Sequence, residues 1–581
     1  EEDHLTKVGS APHLKVPSDR RGQEIVNDPL FNKGTSFAVA ERDRLGLRGL
    51  VPPAVLTMDE QLQKIMATLR ALPDDLAKHM FLADLNDRNA TLFHRALVRH
   101  IEELAPLVYT PTVGRACQLF ASTYRRPRGM YFSADDVGHM QAMVANWPAK
   151  TVSVVVVTDG SRILGLGDLG ANGMGIPIGK LALYCAAGGV APHRVMPVVI
   201  DVGTNNQSLL EDPFYLGLKR PRLEGAAFFD VVDEFVEALY SRWPDALIQF
   251  EDFSSDNAKT LLDRYKDRRL CFNDDIQGTG ATVVAGVLAS LKTQTQSSTD
   301  VIEALKTQRI VVCGAGSAGC GVAAALARAA GDVNAENYYV LDKDGLIAKD
   351  GASEAEWAAL APEQRAFGES FSMKNGLRRG ASLLEVITAA KPSILLGLTA
   401  SPGLFTEEVI RAFDAACPAG QRPVVMALSN PTDRAECTAR QAYEWTAGRA
   451  VFASGSPFAP VDLDGTILVP SQCNNMFLFP GIGLGATLAK ARRVSDEMLL
   501  AASEACAGSV SAEEQARGQV FPSVSRIRDV SKAVAVAVIR KAREQNLARM
   551  SSLERDDDIE AFVEAKSYFP YYTPLYQSPY V

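Results

Sequence analysis

This 581-residue sequence predicts an α/β fold in more than one domain, with a helical region ahead of it. Three observations predict it. From Thr151 onward, apolar runs of strand character alternate with helical stretches, the pattern of a mainly parallel sheet. Residues 58–119 instead carry apolar side chains three and four apart, as in Leu92-Phe93-His94-Arg95-Ala96-Leu97-Val98 and on to Ile101, Leu104 and Leu107. The length exceeds what one core serves and points to about two to four domains.

The elements follow in order. The opening thirty or so residues are polar and are expected to be loosely ordered. The helical pattern should break at Pro106 and again at Thr110-Pro111-Thr112. A buried strand is expected over 152–158, a turn at Asp159-Gly160-Ser161, and a second strand over 162–166. A helical stretch over 178–187 precedes strands at 195–202, 246–250 and 270–272. A second α/β unit starts near Asp275, with a helix over 280–291 and a polar loop over 294–299. It continues with a strand at 309–313, a helix at 317–330, a strand at 338–341 closing at Asp342, and strands at 393–398 and 424–428. Pro570, Pro574 and Pro579 exclude a regular helix from the Tyr-rich tail 568–581, which is expected to pack on a neighbouring subunit.

Bulk properties exclude several classes. The net charge of −9 argues against nucleic acid as a partner. No apolar run is long enough to span a membrane. The 9 cysteines show no CxxC pair and no regular spacing, which fits free thiols in a reducing compartment. The first residues, Glu1-Glu2-Asp3-His4, carry no initiator Met and no apolar signal segment. A cytoplasmic protein is expected, or a mitochondrial matrix protein whose transit peptide has been removed.

Two acidic segments carry the most chemical information: Gln249-Phe250-Glu251-Asp252-Phe253 and Phe272-Asn273-Asp274-Asp275-Ile276-Gln277-Gly278-Thr279. Each acid pair sits at the end of an apolar strand, where a carboxylate is costly to bury unless something positive meets it. Three or more converging hard oxygens suit Mg²⁺ or Mn²⁺. The pattern GxGxxG occurs twice. Gly314, Gly316 and Gly319, with Ser317 and Ala318 between them, follow a clean strand, open a helix and precede a strand ending in Asp342. That is the βαβ unit in which glycines bring pyrophosphate to a helix N-terminus, so a Rossmann-type dinucleotide domain is expected here. Gly165, Gly167 and Gly170 lie in a stretch too broken for an immediate helix and read as a glycine-rich loop delivering Lys180.

Taken jointly, the residues resemble one family, the malic enzymes. The likeness runs through Asn32-Lys33-Gly34-Thr35, Leu45-Gly46-Leu47-Arg48-Gly49-Leu50-Val51-Pro52-Pro53 and Val108-Tyr109-Thr110-Pro111-Thr112-Val113-Gly114. It continues through Arg162-Ile163-Leu164-Gly165-Leu166-Gly167-Asp168-Leu169-Gly170, both acidic segments, Ser429-Asn430-Pro431 and Asn474-Asn475-Met476-Phe477-Leu478-Phe479-Pro480-Gly481. The resemblance implies oxidative decarboxylation of L-malate to pyruvate and CO₂ with a nicotinamide cofactor. It implies Glu251, Asp252 and Asp275 as metal ligands, Lys180 as general base, Tyr109 as general acid, and Asp274 as the carboxylate that positions the lysine. It further implies Arg162, Asn430 and Asn475 as substrate contacts, and Gly314, Gly316, Ser317, Ala318, Gly319, Asp342 and Asn430 as cofactor contacts. The implied architecture is a helical N-terminal domain over 1–127, and an α/β substrate and metal domain over 128–274 completed by about 475–550. A Rossmann domain over 275–474 and a tail over 551–581 complete it. A homodimer or homotetramer is implied as well.

Physical chemistry supports those roles. Malate is a dianion and needs cationic partners. A lysine acts as a base near neutrality only with a lowered pKa, which a divalent cation and Arg162 are expected to provide. An acid closing the second strand favours NAD, whereas Lys343 and Lys349 just after it suit a 2′-phosphate, and we expect NADP over NAD. Two other readings stay open: a metal-free Rossmann amino-acid dehydrogenase, and an inactive paralogue kept as an oligomeric scaffold.

Overall fold

The computed structural model describes residues 15–17, 19–293, 301–331, 337–369, 376–550 and 556–577. Two parallel sheets organise it. The first has strands β1 (Met130–Ser133), β2 (Val154–Thr158), β3 (Val195–Asp201), β4 (Leu247–Phe250) and β5 (Cys271–Asn273), in the order β1-β3-β2-β4-β5. Each residue of β2, Val-Val-Val-Val-Thr, is buried. A β-branched run apolar on both faces is what a strand covered by helices on both sides requires. The chain leaves β2 for β3 on one side and reaches β4 on the other, which opens a crevice at the carboxyl ends of β2 and β4. Register aligns those ends: Val157 lies opposite Phe250, and Phe250 opposite Asn273. The acids that follow Phe250 and Asn273 are therefore neighbours in space.

The second sheet has β6 (Ile310–Cys313), β7 (Tyr338–Asp342), β8 (Gly345–Leu346), β9 (Ile394–Gly397), β10 (Val424–Ala427), β11 (Val451–Ser454) and β12 (Ser471–Gln472). Its order is β12-β11-β10-β9-β6-β7-β8, parallel except for the β7–β8 hairpin. The order reverses between β6 and β9, placing a second crevice beside the 314 fingerprint.

The N-terminal helices are Met58–Arg70, Asp75–Arg88, Ala90–Arg99, Ile101–Val108 and Thr112–Gln118. Side chains of Thr57, Asp74 and Asn89 cap the first three. Pro106 does not break the pattern as expected. It lies inside the helix Ile101–Val108, and the break comes at Tyr109, before the cis Thr110–Pro111 bond. One buried apolar cluster joins Leu62 and Leu97 of these helices to Val156 in β2, Val312 in β6 and Val534 in the helix Ile527–Glu544.

Other expectations change as well. Residues 162–166 form no strand. Leu164 has φ 48° and Gly167 φ 81°, so the chain folds into a tight loop closed by one bridge from Ile163 to Gly167. The helical stretch expected over 178–187 is present as the helix Gly175–Ala186, which carries Lys180 and tolerates Pro177 because it falls in the first turn. The tail packs on its own chain through Gln577. Arg528 Nη2 donates to the Tyr568 carbonyl (2.7 Å), Asn89 Nδ2 donates to the Tyr572 hydroxyl (2.7 Å), and that hydroxyl donates to Gln61 Oε1 (2.9 Å). Tyr576–Gln577 then pairs in parallel with Lys15–Val16. Of the opening residues, those described include this strand and the helix Gln23–Val26, more order than expected. The polar loop expected at 294–299 lies outside the described residues.

Candidate active site

Glu251 and Asp252 leave the end of β4, and Asp274 and Asp275 leave the end of β5. One carboxylate oxygen from each of Glu251, Asp252 and Asp275 lies within 4.8 Å of the others. Asp252 takes φ 55°, a left-handed backbone that a non-glycine residue keeps only where its surroundings impose it. Its backbone N–H donates to Asp275 Oδ2 (2.8 Å). Gly278 leaves room for the next acid, since a Cβ there would sit 2.0 Å from Asp274 Oδ1. Burial first, and then the adjacent Asp275, push the Asp252 carboxyl well above the usual carboxylate range. Burial does the same to Glu251, with Lys180 opposing it and Asp275 adding to it. Asp252 Oδ2 is buried with no hydrogen-bond partner. Three crowded carboxylates, one of them with an orphaned oxygen, fit a divalent cation such as Mg²⁺ or Mn²⁺.

Lys180 is 2% exposed and reaches into this cluster. Its ammonium donates to Asp274 Oδ2 and lies 3.1 Å from Glu251 Oε1. It also sits 4.4 Å from the centre of the Phe479 ring and 5.3 Å from that of Tyr109. The expectation of a lowered lysine pKa fails here. Burial does lower it, but Asp274, Glu251 and Tyr109 outweigh burial and hold it well above the ordinary lysine value. Arg162 is exposed and donates to Ser255 Oγ, so it does not bear on the lysine.

The other expected residues converge to different degrees. Tyr109 is 7% exposed, and burial pushes its phenol well above the usual value. It packs on the lysine's helix because Gly179 has no side chain: a Cβ there would lie 3.0 Å from Tyr109 Cδ2. Asn475 Nδ2 donates to Asp274 Oδ2 (2.9 Å) and Thr279 Oγ1 (3.1 Å), so its amide is tied to the acid that holds Lys180. Asn430 is exposed, with its Oδ1 accepting from Ser456 Oγ (2.6 Å). It belongs to the second sheet, yet a Cβ on Gly165 would lie 3.7 Å from its carbonyl oxygen. The loop after β2 and the loop after β10 thus come within van der Waals reach of each other.

The 314 fingerprint has the shape its glycines predict. Gly314 has φ 108°, and a Cβ there would meet the Leu398 carbonyl at 2.4 Å. A Cβ on Gly319 would overlap the Gly314 carbonyl at 1.7 Å, whereas one on Gly316 meets nothing within 4 Å. Two glycines are needed for packing and one faces open space at the N-terminus of the helix Ser317–Ala329, as a pyrophosphate cradle requires. Ala318 follows Ser317 in that first turn. Gly314, Asp342, Lys343 and Thr399 line a cavity of about 340 Å³ beside it. Lys343 is exposed, while Asp342 is paired with Arg379 at 3.4 Å.

Sequence reasoning missed several participants. Gln249 Nε2 donates to Glu251 Oε2 (2.8 Å), and the Tyr184 hydroxyl donates to Gln249 Oε1. Both were detectable: Gln249 lies two residues before Glu251 on one strand, and Tyr184 four after Lys180 on one helix, spacings that share a face. Arg379 and Phe479 come from remote segments, and nothing local signals them.

The family model described as malic enzyme, N-terminal domain, matches residues 86–266, and that described as malic enzyme, NAD binding domain, matches 276–543. The chain is 48% identical over 580 residues to the NAD-dependent malic enzyme 59 kDa isoform, mitochondrial, of Solanum tuberosum, covering 96% of this chain and 95% of that one. It is 42% identical over 557 residues to an NADP-dependent malic enzyme of Dictyostelium discoideum, covering 94% and 98%. The solved malic enzyme of Entamoeba histolytica aligns over 90% of this chain and 91% of its own, with TM-score 0.56 and 22% identity, a likeness of fold alone. The two matched family models and near-full-length identity above 40% place this chain in the malic enzyme family.

Proposed function

We propose that the chain oxidatively decarboxylates L-malate to pyruvate and CO₂, dependent on a divalent metal and on NAD(P). The observation that carries this reading is the contact of buried Lys180 with two of four acids gathered at adjacent strand ends. Glu251, Asp252 and Asp275 would hold Mg²⁺ or Mn²⁺, and the 314 fingerprint the dinucleotide. Bound there, the metal supplies Lewis-acid polarisation and the dinucleotide a hydride acceptor.

The chain's own residues do the rest. With the negative charge that holds Lys180 protonated offset by a divalent cation on Glu251, Asp252 and Asp275, Lys180 takes the proton from the C2 hydroxyl as hydride departs from C2. Asp274 and Asn475 hold the ammonium in place. After CO₂ leaves, Tyr109 returns a proton to the C3 carbon of the enol. A phenol held protonated by burial suits a donor. Arg162 meets a malate carboxylate, and Asn430 orients the substrate and nicotinamide from the opposite wall.

Relatives named NAD-dependent and NADP-dependent both match closely, and the leading ones are NAD-dependent, which lends no weight to an NADP preference. Several of those relatives are named mitochondrial, which favours the matrix over the cytoplasm. We retain the domain limits 1–127, 128–274 with 475–550, 275–474 and 551–581, and a homodimer or homotetramer. Among the described residues no helix is long and apolar enough to cross a membrane.

The test is nicotinamide reduction by L-malate with Mn²⁺, run with NAD and with NADP and repeated in EDTA. Metal-dependent reduction with stoichiometric pyruvate supports the reading. Full activity in EDTA, or reduction with no pyruvate, overturns it.

A further inference from the structure

Glu436 is fully buried and lies outside every role assigned above. Its Oε1 accepts three hydrogen bonds: from Thr399 N (2.9 Å), Thr399 Oγ1 (2.9 Å) and Ser429 Oγ (2.5 Å). Ser429 Oγ in turn accepts from Ala400 N (2.8 Å), and Thr399 Oγ1 from Ser401 N (3.1 Å). One carboxylate therefore ties the loop after β9 to the loop after β10. Its other oxygen has no partner and lies over Gly397 at the end of β9, where a Cβ would come within 2.8 Å of Oε2. The absence of a side chain at Gly397 is what lets the carboxylate sit between the two loops.

The first loop lines the proposed cofactor crevice, and the second leads to a proposed cofactor contact. The first contains Leu398, whose carbonyl packs on Gly314, and Thr399, which lines the cavity shared with Asp342. The second contains Asn430. A buried acceptor serving three donors makes their positions interdependent, because moving one loop leaves a buried group unpaired.

We infer that Glu436 is a positioning residue for dinucleotide binding, setting the wall of the crevice opposite the 314 fingerprint without touching the ligand. This rests on the dinucleotide reading proposed above. It predicts an effect confined to the cofactor half of the cleft, since none of these bonds reaches Lys180, Glu251 or Asp252.

The experiment measures NADH affinity by fluorescence and Mn²⁺ affinity by electron paramagnetic resonance on the full chain. Glu436→Ala should weaken NADH roughly tenfold and leave Mn²⁺ unchanged, because three donors lose one acceptor. Glu436→Gln keeps an acceptor oxygen and should restore most of the affinity. Ser429→Ala, which removes one bond and covers the case in which Glu436→Ala does not fold, should weaken NADH about threefold. Wild-type NADH affinity in folded Glu436→Ala, or in Ser429→Ala, overturns the inference. So does parallel loss of NADH and Mn²⁺ binding, which would mark a general structural role. Failure of the wild type itself to bind NADH or NADPH would instead overturn the dinucleotide reading, and this inference with it.

Discussion

Lys180 Nζ lies 3.1 Å from Glu251 Oε1, so the proposed base touches a proposed metal ligand. Both side chains are almost wholly enclosed, at 2% and 3% exposure. The two roles are therefore electrostatically linked. Lys180→Met should lower kcat by roughly 10²–10⁴-fold, the usual worth of a positioned proton acceptor, while NADH affinity stays within error. Steady-state kinetics with a parallel NADH titration checks this. An unchanged kcat removes the lysine from the mechanism.

The acid cluster sets a pH dependence. Folding raises the carboxyl pKa of Glu251 and Asp252, so their favourable contribution exists below the unfolded values and is lost as pH rises through the folded ones. The metal-free protein should therefore gain more from Mn²⁺ as pH rises. Melting temperatures in EDTA and in Mn²⁺ should diverge as pH rises above the unfolded carboxylate range of about 4. A constant gap would mean that these carboxyls do not hold the ion.

His94 acts with the opposite sign. Burial pulls its pKa down to about 4, with Nδ1 against the Ala90 carbonyl at 2.7 Å. Its stabilising contribution is present above the unfolded value and is lost as pH falls from 6.5 towards about 4. The loss is on the order of 3 kcal/mol. Urea unfolding across that range should show a shallower acid decline in His94→Phe than in the parent.

Gln249 is a bridge between the Tyr184 hydroxyl and Glu251. Gln249→Leu removes the donor that orients Glu251 and strands a buried phenol. Mn²⁺ affinity should fall about 10–100-fold, the range for loss of an outer-shell partner. Calorimetric titration measures it, and an unaltered affinity would show that Glu251 needs no support.

Lys343 is exposed at the mouth of the cavity that Asp342 lines. Lys343→Glu should raise KM for NADP several-fold more than KM for NAD, since only the former brings a 2′-phosphate to that position. Equal changes would assign discrimination elsewhere, with Arg379, already paired to Asp342, the next group to vary.

The fold class, both sheets and most strand positions could be read locally. Runs such as Val154-Val155-Val156-Val157 announce buried strands, and the glycines at 314, 316 and 319 announce a tight turn into a helix. The acids at 251–252 and 274–275 were visible because carboxylates directly after apolar strands are chemically conspicuous. The strand expected at 162–166 failed for a local reason too: two left-handed residues close it into a loop, which its Gly-rich sequence foreshadowed only in part.

By itself, then, the sequence determined which side chains were on offer and on which kind of element each would sit, because helical and strand periods and turn chemistry act over a few residues. Tertiary structure alone decided which of them share a charge. The raised pKa of Lys180 comes from acids on two strands brought level by the β4–β5 register. The chain from Tyr184 to Glu251, the Glu436 knot between two loops, and the fold-back of the tail onto Gln61 and Asn89 likewise join segments far apart in the chain. Burial and proximity fix protonation and hydrogen-bond partners, and both are properties of the packed molecule rather than of any stretch of it.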